Sequence, residues 1–189
     1  MLRRQAGRPA FQSGERMSAE ALKSRIRHVP DFPKPGILFY DVTTLLRERE
    51  GFRLAIDSLT TPYDTSRVDL VVGVESRGFI LGSAVADRLG AGFVPVRKLG
   101  KLPAQTIQAS YELEYGTDSL EMHRDAVSAG QRVLIVDDLL ATGGTANATV
   151  QLVKQLGGDI VGVAFLIELV ALGGRAKLDG EQLHVVLQY

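Results

Sequence analysis

Residues 133–145 read VLIVDDLLATGGT, and this stretch is the clearest indication of the fold. Four aliphatic residues in succession predict a strand, over 132–136, that is buried on both faces. Two acids and a pair of glycines follow within 137–145, and helical periodicity then runs from Ala146 to Leu156. The stretch therefore predicts a strand that leads through a loop into a helix.

The same order of elements occurs earlier in the chain. An aliphatic run predicts a strand over 68–74, and a loop follows at 75–78. A helix is predicted over 79–89, closed by Gly90 in the left-handed conformation. Residues 93–97 are the next predicted strand.

Further strands are predicted at 160–167 and 183–187. Alternating strands and helices imply right-handed crossovers, so we expect an α/β fold with a doubly wound, mostly parallel sheet and helices on both faces. Ligands bind beyond the carboxyl ends of the strands in such sheets. The loops at 75–78 and 137–145 both fall at that edge.

The composition excludes several classes of function. The chain has 189 residues, 22 basic and 22 acidic side chains, and no Cys. The length suits one domain, and the absence of Cys excludes disulfide scaffolds, thiolate metal sites and cysteine nucleophiles. Balanced charge argues against nucleic-acid and membrane-surface partners. The longest apolar run, 160–169, is shorter than the ~18 residues of a membrane span, so we expect a cytoplasmic protein.

Two segments differ from the rest of the chain. Residues 1–16 are rich in Arg and contain Gly7 and Pro9, which predicts a disordered tail ahead of one domain at 17–189. Residues 99–116 contain many polar side chains and few core residues. A stretch of that length with little periodicity predicts a flexible lid loop.

The loop after the predicted strand suits a phosphate. Its glycines allow several backbone amides to converge, and the helix that follows adds unpaired N–H donors and partial positive charge. Thr142 and Thr145 can donate hydroxyls to the same oxygens. The predicted phosphate site consists of Ala141, Thr142, Gly143, Gly144 and Thr145.

The two acids before the glycines suit a different group. Asp137 and Asp138 would repel a phosphate, whereas they can accept hydrogen bonds from sugar hydroxyls or hold a metal-bearing group. A phosphate cradle beside hydroxyl acceptors fits a ribose 5-phosphate. The alternative is an ordinary glycine-rich connection with two solvated acids. No Lys follows the glycines, so the loop is not a Walker A loop.

The same stretch resembles the phosphoribosyl diphosphate motif of type I phosphoribosyltransferases. Other segments resemble the adenine phosphoribosyltransferase family in order: PDFPKPGILFYDVTT at 30–44, ESRGFI at 75–80, RKLGKLP at 97–103, SYELEYG at 110–116, IEL at 167–169 and LQY at 187–189. Tyr40 departs from the family, which often has Arg there. Since the family holds adenine at that point largely through backbone atoms, the departure matters little.

The resemblance implies that adenine and 5-phosphoribosyl 1-diphosphate react to give AMP and pyrophosphate. It also implies Mg²⁺ held mainly by the substrate, a small N-terminal hood at 28–43 and a homodimer. Positive charge builds on the ribose ring as the bond to the leaving group loosens. Asp137 and Asp138 would stabilise that charge and hold the ribose hydroxyls.

A second group of residues is predicted to bind pyrophosphate. Arg77 lies in a strand-to-helix loop whose amides can also cradle an anion, and a guanidinium matches phosphate oxygens. The resemblance implies an unusual backbone kink at Glu75 and Ser76, and a lid that closes with Tyr115 over the site. The predicted set is Glu75, Ser76, Arg77, Gly78, Lys98, Lys101 and Tyr115.

The ring proton of adenine needs a base, and the resemblance points to Glu114. Glu112 has the same strand parity as Glu114, and spacing does not separate the two. For the purine, the predicted contacts are Ile37, Leu38, Phe39 and Leu169. Ordinary core packing is the alternative for these apolar residues.

Other functions remain open from the residues alone. A regulator could keep the phosphoribosyl diphosphate pocket and bind nucleic acid, although it would not need Glu114. An enzyme for hypoxanthine, xanthine or orotate is the nearer rival, and the hood motif favours adenine. The chain's three histidines, His28, His123 and His184, show no ligand spacing, so no metal site made by the protein alone is predicted.

Overall fold

The structure is a computed structural model that describes residues 19–112 and 117–189. Contacts divide the chain into two units, with the boundary between Ala55 and Ile56. In the described ranges, no helix has both the length and the apolar character needed to cross a membrane.

The first unit contains a two-stranded hairpin. Its elements are α1 (residues 19–23), β1 (Arg27–Pro30), β2 (Leu38–Asp41), α2 (Thr43–Leu46) and the start of α3 (Arg49–Thr60). β1 and β2 pair antiparallel, with Arg27 opposite Asp41. Asp41 accepts hydrogen bonds from the amide and the hydroxyl of Thr43 at 2.9 and 2.6 Å, which fixes the hairpin to the start of α2.

The second unit is built on a seven-stranded sheet. Its strands are β3 (Leu70–Val74), β4 (Gly92–Lys98), β5 (Thr106–Glu112), β6 (Thr117–His123), β7 (Arg132–Leu140), β8 (Asp159–Glu168) and β9 (Leu183–Gln188). The spatial order is β5-β6-β4-β3-β7-β8-β9. The five strands from β4 to β9 in that order are parallel, and β6 and β5 extend the sheet antiparallel.

Two helices connect the parallel strands. α4 (Arg77–Leu89) joins β3 to β4, and α5 (Gly144–Gln155) joins β7 to β8. The two crossovers run in opposite directions along the sheet, so right-handed connections place the helices on opposite faces. α4 ends at Gly90 with φ 66°, as predicted. The predicted doubly wound fold is confirmed.

The central strands form the core. Val71, Val72, Leu134 and Ile135 have no exposed surface. Both faces of these strands are covered, which explains why their sequences are continuous aliphatic runs rather than alternating ones.

The structure differs from the sequence-based expectation at three places. The segment predicted as a loop over 99–116 contains β5, which pairs with β6 along its whole length. β7 continues to Leu140, so Asp137 and Asp138 lie in the strand and not in the loop. α4 begins at Arg77, two residues before the predicted start, which places Arg77 at the helix N-terminus.

Candidate active site

The candidate site lies between β3 and β7, where the order of the strands along the sheet changes direction. β3 and β7 are neighbours, with Leu70 opposite Val133 and Gly73 opposite Val136. Their following helices diverge to opposite faces, and a crevice forms at such a switch point. The turn after β3 and the loop after β7 therefore lie side by side at the carboxyl edge.

The loop after β7 surrounds a small cavity. The cavity has a volume of about 80 Å³, and its lining comprises Asp137, Leu139, Leu140, Ala141, Thr142, Gly143, Gly144, Thr145 and Ala146. All five residues of the predicted phosphate site line it. Because α5 begins at Gly144, the free amides of its first turn point toward this end of the sheet.

Gly143 has a conformation that other residues rarely adopt. Its φ is 77°, and a Cβ atom there would lie 2.3 Å from the carbonyl oxygen of Gly174. Gly174 begins a short 3₁₀ helix, Gly174–Leu178, and lies against the predicted phosphate site at 141–145, called the phosphate loop from here on. The sequence reasoning missed this role of Gly174, although the doublet at Gly173 and Gly174 was a visible signal.

The two acids occupy neighbouring positions on β7 and therefore face opposite sides of the sheet. Asp137 lines the small cavity, while Asp138 Oδ2 lies 2.7 Å from Arg77 Nε. The Asp138 amide donates to Asp137 Oδ1 at 2.8 Å. Burial and the nearby charge of Asp138 raise the pKa of Asp137 well above its usual range. Burial also raises the pKa of Asp138, which the charge of Arg77 opposes.

The turn after β3 links two strands. The peptide bond between Glu75 and Ser76 is cis, at the position of the kink that the family resemblance implies. Glu75 pairs with Arg97 of β4 through two contacts of 3.2 Å, and it accepts the Lys98 amide at 3.2 Å. The hydrogen bonds from Arg97 lower the pKa of Glu75. Gly78 lies close to the Asp137 carboxylate, since a Cβ atom on Gly78 would be 2.6 Å from Asp137 Oδ1.

Of the predicted lysines, Lys98 is the last residue of β4 and Lys101 lies three residues beyond it. Lys98 Nζ is 3.2 Å from Asp118 Oδ2, and this partner raises the pKa of Lys98. Lys101 is held through its backbone: its carbonyl accepts Arg97 Nη1 at 3.1 Å. Sequence reasoning did not single out Asp118, because one acid in a polar segment carries no signal of its partner.

The β5–β6 hairpin lies over the start of α5. A Cβ on Gly144 would be 3.0 Å from Tyr111 Cδ2, and the Tyr111 hydroxyl donates to Asp118 at 3.2 Å. Burial raises the pKa of Tyr111. Glu112, the alternative base, ends β5 opposite Thr117. Glu114 and Tyr115 lie outside the described residues.

The predicted purine contacts fall in both units. In the first unit, Ile37 and Leu38 are 44% and 43% exposed, and Phe39 makes an edge-to-face contact with Phe32 at 5.1 Å. In the second unit, Leu169 follows β8 and donates its amide to the Leu140 carbonyl at 2.9 Å. Leu169 thus lies next to the end of β7.

The acid pair offers hard oxygen ligands beside the loop that follows β7. Within the described ranges, no group of three or more His, Cys, Asp and Glu side chains is arranged to hold a metal ion. Asp137 and Asp138 fit a cation that is bound chiefly by another molecule, since carboxylate oxygens suit Mg²⁺ and Mg²⁺ retains several waters.

Comparison with known proteins gives one consistent result. The model of the phosphoribosyl transferase domain matches residues 42–182. The chain is 57% identical over 179 residues to adenine phosphoribosyltransferase from Acidobacterium capsulatum, covering 95% of this chain and 99% of that protein. The solved adenine phosphoribosyltransferase from Rhodothermus marinus is 56% identical with a TM-score of 0.89, covering 92% of this chain and 99% of that one.

A third relative is more distant and was solved with ligands. The Saccharomyces cerevisiae adenine phosphoribosyltransferase, complexed with adenine and an imino-altritol bisphosphate, is 42% identical with a TM-score of 0.86. The alignment covers 91% of this chain and 99% of the yeast chain. With a domain model that matches most of its length and relatives of this identity along nearly all of it, the chain belongs to the adenine phosphoribosyltransferases, a family of type I phosphoribosyltransferases.

Proposed function

We propose that this chain transfers the phosphoribosyl group of 5-phosphoribosyl 1-diphosphate to adenine, giving AMP and pyrophosphate. The observation that carries the proposal is the junction of β3 and β7. There the phosphate-loop cavity, the Asp137–Asp138 pair and Arg77 lie together. A phosphate site, hydroxyl acceptors and a cation for a second anion are the groups that this substrate needs.

The loop after β7 would bind the 5-phosphate. Thr142, Gly143, Gly144 and Thr145 line the cavity, and their backbone amides and hydroxyls would donate hydrogen bonds to the phosphate. Close approach of the phosphate requires a backbone without side chains at the two glycines. The N-terminus of α5 adds partial positive charge at the same point.

The acid pair would act on the ribose. As the bond from the anomeric carbon to the diphosphate oxygen breaks and the bond to the adenine nitrogen forms, positive charge develops on the ring. Asp137 and Asp138 would hold the ribose hydroxyls and stabilise that charge. Burial and the charge of Asp138 raise the pKa of Asp137, and a cationic transition state beside it would favour its ionised form.

Pyrophosphate would leave between the turn after β3 and the segment after β4. Arg77, Lys98 and Lys101 supply positive charge, and the amides at 75–78 supply donors. Lys98 is paired with Asp118 in this structure, so binding of pyrophosphate requires that lysine to exchange partners. Closure of the 99–116 segment, with Tyr115 over the site, would exclude water.

Glu114 is our proposed general base for the proton that adenine loses from its ring. The proton would move to the Glu114 carboxylate as the carbon–nitrogen bond forms, which balances the charge left on the purine. Ile37, Leu38 and Phe39 of the hood, and Leu169 after β8, are the proposed purine contacts. They offer apolar surface together with backbone donors and acceptors.

We also propose that the reaction uses Mg²⁺, held mainly by the diphosphate of the substrate. It would neutralise charge on the leaving group, with Asp137 and Asp138 reaching it through water. We further propose that residues 17–189 act as one domain, that the chain forms a homodimer and that it works in the cytoplasm. The apolar side chains of Val170 and Leu172 are exposed in one copy of the chain, which is compatible with a surface that a second copy covers.

The test is an assay of the purified protein with Mg²⁺, 5-phosphoribosyl 1-diphosphate and one base at a time. Adenine, hypoxanthine, guanine, xanthine and orotate are compared by release of pyrophosphate. We expect release with adenine alone. Release confined to another base would overturn the base assignment. Binding of the diphosphate substrate without release with any base would favour a sensor.

A further inference from the structure

Glu121 is a buried carboxylate that the proposed reaction does not use. Only 3% of the residue is exposed. It lies on β6 opposite Arg97 of β4 and Gln108 of β5. Its neighbours Leu120 and Met122 join the hydrophobic core, so alternation along the strand directs Glu121 to the opposite face.

The Glu121 carboxylate receives backbone amides from the segment that follows β4. Oε1 accepts the amides of Lys101 and Leu102, both at 2.8 Å. Burial alone would raise the pKa of Glu121, but hydrogen bonds from the amides of Leu102, Lys101 and Gly100 and from the Thr106 hydroxyl lower it overall. Glu121 is therefore ionised near neutral pH, and charge-assisted hydrogen bonds of this kind are stronger than neutral ones.

The same segment is also held by Arg97, the cross-strand partner of Glu121. Arg97 Nη1 donates to the Lys101 carbonyl at 3.1 Å, while Nε and Nη2 bind Glu75 at 3.2 Å. The backbone N–H and the carbonyl of Lys101 are thus both fixed by buried or half-buried charges. The contacts connect Lys101 to the cis turn at Glu75 and Ser76.

We propose that Glu121 is a positioning residue for the diphosphate of the substrate. Its carboxylate fixes the backbone of residues 100–102, so that the ammonium group of Lys101 is presented to the diphosphate without a prior ordering of the segment. The inference rests on the proposed function through the role of Lys101. Preorganisation of this kind strengthens binding by removing the entropic cost of ordering.

The test compares Glu121→Ala, Glu121→Gln and Glu121→Asp with Glu181→Ala. Glu181 is a matched control, because its side chain is 9% exposed and pairs with Lys154 at the far end of α5. We expect Glu121→Ala to raise KM for 5-phosphoribosyl 1-diphosphate by about tenfold or more, with KM for adenine within about twofold. A neutral oxygen still accepts the amides in Glu121→Gln, so a rise of only about threefold is expected there.

A merely structural role would give a different pattern. All variants, the control included, would then lower the Tm and the active fraction and leave KM for the diphosphate substrate unchanged, and that result overturns the inference. If Glu121→Ala does not fold, Glu121→Asp gives the answer, because the shorter side chain keeps the charge and withdraws the acceptor. KM for the diphosphate substrate should still rise in that variant.

A double-mutant cycle tests the route through Lys101. Lys101→Ala and Glu121→Ala should each weaken the binding of magnesium pyrophosphate, measured by calorimetry. The double variant should bind magnesium pyrophosphate as tightly as the single variant that has the lower affinity. Additive losses would overturn the inference. Calorimetry measures binding and does not depend on turnover. A wild-type protein that binds pyrophosphate but releases none with adenine would contradict the proposed function. The test of Glu121 would remain valid in that case.

Discussion

Gly143 and Gly174 approach each other so closely that a Cβ atom on Gly143 would lie 2.3 Å from the Gly174 carbonyl oxygen. The phosphate loop is therefore supported by a second segment, which contains Gly174 and lies later in the chain. A loop that must point several amides at one anion benefits from such support, because its geometry is then fixed before the ligand arrives.

The first prediction concerns this contact. Gly143→Ala would place a methyl group against Gly174 and force a left-handed alanine, which costs about 1 kcal/mol by itself. We expect KM for 5-phosphoribosyl 1-diphosphate to rise about tenfold or more, which corresponds to roughly 1.4 kcal/mol. Gly180→Ala is the control, since Gly180 has φ 87° and nothing within 4 Å of an added Cβ. An equal KM in both variants would refute a role for the contact.

The second prediction concerns the acid pair and pH. The folded protein raises the pKa of Asp137, so this group favours folding at low pH, and that contribution is lost as the pH rises from about 3.8 through the raised value. Asp137→Asn should therefore increase the free energy of unfolding at pH 7, because the cost of ionising a buried carboxyl is removed, and it should lower kcat. Urea unfolding at pH 7 and pH 5 gives the comparison, with a smaller gain at pH 5.

Asp41 provides a control with the opposite sign. Hydrogen bonds from the Thr43 hydroxyl and from Arg27 lower its pKa to about 2. Its contribution to stability is present at neutral pH and is lost as the pH falls from about 3.8 toward 2. Asp41→Asn should therefore destabilise the protein at pH 7. A gain in stability from Asp41→Asn, or a loss from Asp137→Asn, would contradict the described electrostatics.

The third prediction separates the two candidate bases. Glu114→Gln should lower kcat by about 100-fold or more, as expected for loss of a general base, with pyrophosphate affinity nearly unchanged. Glu112→Gln is the matched variant two residues earlier in the sequence and should lower kcat by less than about threefold. Steady-state kinetics and calorimetry measure both. If Glu112→Gln has the larger effect on kcat, the base role moves to Glu112.

The fourth prediction concerns the partner of Lys98. In the proposed mechanism pyrophosphate would displace Asp118 from Lys98, and an exposed ion pair of this kind contributes about 0.2–1 kcal/mol. Asp118→Asn should therefore tighten pyrophosphate binding by up to about fivefold at low salt, with a smaller effect at high salt. Asp125→Asn is the control, since Asp125 is also an acid and is exposed. Weaker binding in Asp118→Asn would mean that Asp118 orients Lys98 for its ligand instead.

The local pattern of apolar residues and glycines in the sequence predicted the parallel strands and their helices well. The aliphatic runs of β3, β7 and β8 and the left-handed Gly90 depend on burial and on short-range sterics, which the sequence displays directly. The phosphate loop was predictable for the same reason: a strand, two glycines and a helix start within 13 residues, at 133–145.

Long-range pairing was harder to predict. β7 continues past its aliphatic run because β8 offers partners, Ile167 opposite Leu139 and Glu168 opposite Leu140. Two carboxylates in succession otherwise indicate a loop. The strand β5 did show alternation, with Ile107 buried and the flanking Thr106 and Gln108 less so, but its polar content resembled a loop. Asp118 and Glu121, which bind Lys98 and the Lys101 amide, come from β6, and no local spacing indicates them.

The most direct test of the account is a crystal structure of the protein with AMP and magnesium pyrophosphate. We predict the 5′-phosphate of AMP within about 2.7–3.2 Å of the amide nitrogens of Gly143, Gly144 and Thr145, with the ribose hydroxyls at the Asp137 and Asp138 carboxylates. A 5′-phosphate bound elsewhere, with the loop after β7 empty, would contradict the central claim.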